Sequence, residues 1–183
     1  MLIQAEVDLE MWQAMRNARS NQEVVVMLNR RYKRFYIAAE NALFNSLILI
    51  LYKAFETRPE TVNFRQLLKT LPSEVEPNIR SELDRLCEKI KTTWKKISLV
   101  RNKTIGHQSL EQSAEEVHRL AGITILELEN FVKNAQRLLY LISKNFHNTH
   151  VIFNLKGTQS FDNLLRDLLA KNSSKPTPLR GAA

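Results

Sequence analysis

The chain is poor in residues that break or staple a backbone. Its 183 residues include one cysteine, four glycines and five prolines. A single cysteine excludes a framework of internal disulfides. Cys87 falls on an apolar helical stripe, the place of a small core residue rather than of a reactive thiol. Scarce glycine and proline leave few turn signals, so long 3.6-residue periodicities dominate and point to an all-α protein. There is no phosphate-cradling glycine loop, no GxSxG and no HExxH, which argues against an ATPase, a serine hydrolase or a zincin. The opening MLIQAEVDLE has neither a basic nor an apolar signal region, so no secretory leader is expected. The most apolar run, Ala42 to Leu51, is too short to span a bilayer and is interrupted by Asn45 and Ser46. It reads as a buried core helix of a cytoplasmic protein with no membrane partner. His147 and His150 have a metal-like spacing, but no cysteine lies nearby and a helix end is expected there; no metal and no other cofactor is expected.

What the chain has is apolar content and positive charge. Hydrophobic residues make up 44%, enough for a real core in one domain, and the formal net charge is +8, which favours a polyanionic partner. Periodicity predicts a first helix over 5–19 and a second over 22–56, with Ser20 or Asn21 as its N-cap. A short helix over 63–70 follows, then a third long helix over 77–103. A fourth runs from 109 or 112 to 146, a short extended piece is expected at 151–153, and a last helix covers 160–171. Helices of this length reach about 40–50 Å at 1.5 Å per residue and must pack side by side. The expected architecture is an elongated antiparallel helical bundle over residues 1–171, with 172–183 as a disordered tail.

One heptapeptide stands apart: Arg101-Asn102-Lys103-Thr104-Ile105-Gly106-His107. It lies where the third helix ends. The stripe Leu83, Cys87, Ile90, Trp94, Ile97 continues by one helical step to Arg101, which aims a guanidinium toward packing partners. Arginine cannot lose its charge, and a fixed cation near a titratable histidine suits work on a phosphate. The structural reading of the same residues is a C-terminal cap: Arg101 on the last carbonyls of its helix, His107 in the turn. Three polar residues in the second helix, Glu40, Asn41 and Asn45, are candidates to support Arg101 from behind, or to face solvent or a neighbouring helix.

The segment SLVRNKTIGHQ resembles the Arg-x(4–6)-His motif of the HEPN superfamily, with a polar residue, Asn102, after the arginine. The resemblance covers roughly residues 21–148. It implies a small all-helical domain of the toxin or abortive-infection type. It further implies a metal-independent endoribonuclease in which Arg101, His107 and Asn102 are catalytic. HEPN toxins paired with a nucleotidyltransferase often carry tyrosine two residues after the histidine; Ser109 stands there, which puts that mode of control in doubt. The resemblance also implies a homodimer with the two motifs facing each other, RNA as substrate, and an antitoxin protein as a further partner. Lys89, Lys96 and Lys103 recur every seven residues and are candidates to hold RNA phosphates. The alternative is a non-catalytic HEPN-like module that binds a protein, a nucleotide or RNA.

Overall fold

The computed structural model describes residues 1–58, 60–72, 75–106, 114–146, 149, 151–153 and 157–173. It is all-α, with no strand among the described residues. The helices are α1 (Leu2–Ala18), α2 (Gln22–Met27), α3 (Lys33–Ala54), α4 (Phe64–Lys69), α5 (Pro77–Val100), α6 (Ala114–Ala121), α7 (Ile125–Phe146) and α8 (Thr158–Ser173). Helices α1, α3, α5 and α7 close a ring in which each packs on the next. Cross-helix partners give the directions. Tyr36 reaches Met15 while Phe44 meets Trp12, and Lys96 pairs with Glu127 while Arg137 pairs with Glu82. Both pairs run antiparallel, so the body is an up-down bundle, with α4 in the α3–α5 connection and α8 outside on α1 and α2.

The core follows from helical spacing. Leu83, Leu86, Ile90, Thr93, Ile97 and Val100 of α5 are buried, a 3–4 repeat that faces Leu128, Phe131, Val132, Ala135 and Leu138 of α7. Leu47, Ile48, Leu51 and Ala54 of α3 have no exposed surface. A smaller cluster of Met15, Val24, Met27, Leu28, Tyr36 and Phe161 lies under α8. The stretch Gln22–Ala54 is long and apolar enough to cross a membrane by length and composition, yet only 28% of its most apolar window is buried here. Much of that apolar surface faces outward.

Caps set the boundaries. The Asn21 side chain accepts from the Glu23 and Val24 amides, and Asn63 accepts from Gln66. Three expectations are corrected. The helix expected over 22–56 carries a π-helical turn at Leu28–Tyr32, after which α3 starts afresh. The helix expected from 109 or 112 to 146 is two helices, because Gly122 takes φ +54° and Thr124 opens α7 with a reciprocal capping box. In that box the Thr124 amide donates to Glu127 at 2.9 Å and the Glu127 amide to Thr124 at 3.1 Å. Residues 151–153 carry no regular structure. Of the expected tail over 172–183, Asn172 and Ser173 belong to α8; residues 174–183, and both His147 and His150, lie outside the described residues.

Candidate active site at the end of α5

The α5 helix does not end in an ordinary cap. Its hydrogen bonding widens into a π-helical turn over Arg101–Gly106. Such turns are uncommon and recur at functional sites, because the extra residue re-aims side chains that a regular helix would bury or scatter. The Thr104 hydroxyl donates to the Val100 carbonyl at 2.6 Å, and Ile105 packs on the core. These two contacts hold the turn.

The turn decides where Arg101 goes. The core stripe of α5 passes through Val100, so Arg101 lies on the flank with Cys87 and Trp94, both half-buried, rather than on the stripe itself. Its guanidinium carbon sits 4.8 Å from the centroid of the Tyr52 ring of α3. Tyr52 stacks on Trp94, with centroids 5.9 Å apart and planes 16° from parallel, and Arg65 covers the Trp94 ring at 5.4 Å. The Trp94 indole N–H donates to the Tyr52 carbonyl at 3.1 Å, which pins the last turn of α3 to α5. Two aromatic rings are thus clamped between two guanidinium groups. Tyr52 was not legible as a site residue; its only sequence signal is an amphipathic ring at the end of an apolar helix.

Arg101 has no carboxylate partner among the described residues. One guanidinium nitrogen donates to the Asn102 side-chain oxygen at 2.9 Å, and Nε is buried with no hydrogen-bond partner. The guanidinium makes no bond to the carbonyls that end α5, as that of a capping arginine would. A buried N–H without an acceptor is costly and uncommon, and here it belongs to a permanent cation. Asn102 orients Arg101, an arrangement not foreseen from its place in the motif. Glu40 does not support the site: it is buried against α1, where Arg19 and Arg16 bind it. Asn45 is exposed. His107 follows the last residue of the π turn and lies outside the described residues, as does Ser109.

The lysines divide. Lys89 and Lys103 are exposed and in no ion pair among the described residues. Lys96 is engaged: its ammonium donates to Glu127 at 2.6 Å and to the Gly122 carbonyl at 3.0 Å, tying α5 to the α6–α7 joint. That hydrogen bond, aided by the Thr124 amide, holds the Glu127 carboxyl below the usual carboxylate range. Cys87 has its thiol pushed up chiefly by burial, which keeps it protonated and unreactive. No cluster of histidine, cysteine and carboxylates with metal-binding geometry is present among the described residues.

The all-α bundle thus presents Arg101 on a π turn that precedes His107 in the sequence. The family model described as HEPN_AbiU2, AbiU2, matches residues 2–167. The chain belongs to this HEPN-type abortive-infection family. The match takes in α1 and most of α8, so the family unit is wider than the 21–148 core expected from the motif. No curated protein and no solved structure matches the chain.

Proposed function

We propose that this AbiU2-family protein is a metal-independent endoribonuclease and acts as a homodimer in abortive infection. The observation that carries the reading is Arg101: a cation with no acid partner among the described residues, oriented by Tyr52 and Asn102 on the turn that leads into His107. A guanidinium that no carboxylate neutralises retains its affinity for a phosphodiester anion and for the more highly charged phosphorane. RNA carries its own nucleophile. One histidine removes the 2′-hydroxyl proton, the 2′-oxygen bonds to phosphorus, the bond to the 5′-oxygen breaks, and a second histidine, as imidazolium, protonates that leaving oxygen. Arg101 offsets the charge that develops on the phosphorane. The products are a 2′,3′-cyclic phosphate and a 5′-hydroxyl. One protomer supplies one His107, so two motifs across a two-fold axis supply acid and base.

The test is cleavage of end-labelled RNA by the purified protein, with and without chelator. The expected result is chelator-resistant cleavage to 2′,3′-cyclic phosphate ends. His107→Ala should lose about 10²–10⁴-fold of the rate with unchanged helical content. A His107→Ala protein as active as its parent would sink the assignment, and a strict monomer in light scattering would remove the second histidine. One observation favours a second reading. Arg101 packs on an aromatic ring, an arrangement that also stabilises folds, so a non-catalytic module would keep it for packing. In that case the parent protein binds RNA or a partner and cleaves nothing.

A further inference from the structure

Helices α1, α3 and α8 wall an open groove of about 970 Å³ that Arg101 does not line. Met11, Met15, Leu28, Leu43, Phe161 and Leu168 line it, and it follows α3 from Phe35 to Ser46, with Leu28 and Tyr32 of the π turn at one end. The α3 stretch is about 17 Å at 1.5 Å per residue, room for about three turns of a docked helix. Phe35 and Leu164 line the same groove and are 69% and 49% exposed, so its apolar surface is open rather than collapsed.

Two charge features mark its ends. Asp8, 3% exposed, lines the groove; one of its oxygens accepts from Gln4 at 2.7 Å and the other is buried without a partner. A buried, half-satisfied carboxylate calls for a donor that the described chain does not supply. At the other end Arg30, Arg31, Lys33 and Arg34 surround the π turn, all exposed and none in an ion pair among the described residues. By contrast Glu40, one turn along α3, already holds Arg16 and Arg19.

We propose that this groove is the docking site for an amphipathic helix of an acidic partner protein. Its apolar face fills the groove, its flanking carboxylates meet Arg30, Arg31 and Arg34, and a donor on its apolar face satisfies Asp8. Three features choose this occupant. The groove is concave and carries a buried carboxylate at one end, which fits a convex helix better than the flat, anionic face of a bilayer. The chain carries a net charge of +8, and a second copy would bring the same unpaired cations with it. The length suits several helical turns rather than a small molecule. The proposal stands independently of the nuclease reading.

The test uses the full-length protein and two fluorescent helical peptides of identical leucine stripe, one flanked by glutamates and one by lysines. The glutamate peptide should bind and the lysine peptide should not. The pair Arg31→Glu and Arg34→Glu should weaken binding at least about tenfold. Ala42→Trp, on an exposed groove residue, should weaken it similarly by filling the groove, while helical content and Tm stay at parent values. Thr92→Trp, at an exposed position of α5 outside the groove, should change nothing. Equal binding of both peptides, or binding indifferent to Ala42→Trp, overturns the proposal. So does binding to phosphatidylglycerol vesicles that competes with the peptide, which would make the face a membrane surface. A concentration-dependent dimer abolished by Ala42→Trp would make the occupant a second copy.

Discussion

Arg19 and Arg101 both rest on tyrosine rings and differ in one respect. Arg19 lies 5.6 Å from the Tyr36 centroid, and its guanidinium is bonded to the buried carboxylate of Glu40. Arg101 lies 4.8 Å from the Tyr52 centroid, and the only hydrogen bond of its guanidinium among the described residues goes to the neutral Asn102. The first charge is neutralised within the fold and ties α1 to α3. The second is held in place but left electrostatically open. Packing an arginine on an aromatic ring fixes its direction without cancelling its charge, whereas a carboxylate does both. The contrast separates a structural cation from one positioned for an anion that comes from outside.

The sharpest way to break the contrast is to remove each partner in turn. Arg101→Ala should lower RNA cleavage by at least about 10²-fold, as loss of a preorganised transition-state contact does. It should move stability by less than about 1 kcal/mol, the scale of a cation–π contact at a partly exposed site. Glu40→Gln should do the reverse: a loss of about 1–3 kcal/mol in urea unfolding, from a charged hydrogen bond at a buried group, with the rate per folded molecule unchanged. If Arg101→Ala unfolds the protein while Glu40→Gln is silent, the assignment of roles is inverted.

Tyr52 refines the same point. With Trp94 behind one face and Arg101 before the other, its ring positions the guanidinium rather than stacking a base. Tyr52→Leu should reduce cleavage by about tenfold, the worth of about 1.4 kcal/mol of positioning, and Tyr52→Phe should restore most of it. Equal loss in both variants would assign the effect to the hydroxyl and not to the ring face.

The lysines extend the comparison to weaker charges. Lys89→Ala and Lys103→Ala should each lower the slope of log affinity for RNA against log salt by about 1. Lys96→Met should leave that slope unchanged and cost about 0.5–1 kcal/mol of stability at neutral pH, since its pair with Glu127 is partly exposed. The folded-state value of Glu127 lies below its ordinary 4.5, so this stabilisation is present above that pH. It fades as pH falls through the folded value, and parent and variant should converge in acid unfolding curves.

The last expected effect concerns Tyr36, whose hydroxyl donates to the Met15 carbonyl at 2.5 Å. Burial pushes its pKa up to about 12 from 10.0. A raised acid stabilises the fold below its unfolded value and loses that contribution as pH rises through the folded one. Tyr36→Phe should cost about 1 kcal/mol near neutrality and flatten the decline in Tm between about pH 10 and 12.

Helix content, helix order and most caps follow from local chemistry, and so they were readable in the chain. Asn21 and Asn63 accept amide hydrogens within three residues of themselves, and apolar periodicity marks which face each helix buries. The break at Gly122 was equally local: a glycine followed by Thr124-Ile-Leu-Glu127 is a helix end followed by a capping box, masked by apolar periodicity that continues across it. The motif was readable because Arg101 and His107 lie six residues apart on one segment. Local sequence did not determine what Arg101 touches. Its neighbour Tyr52 is 49 positions away in sequence, Glu40 was claimed by α1 and not by α5, and Lys96 was drawn from the basic face to the α6–α7 joint. Those assignments depend on how four amphipathic helices settle around one core. A few ångströms of helix register, and one widened turn at Arg101, choose between a carboxylate and a tyrosine as the partner of a charge. Local propensity carries no information about either.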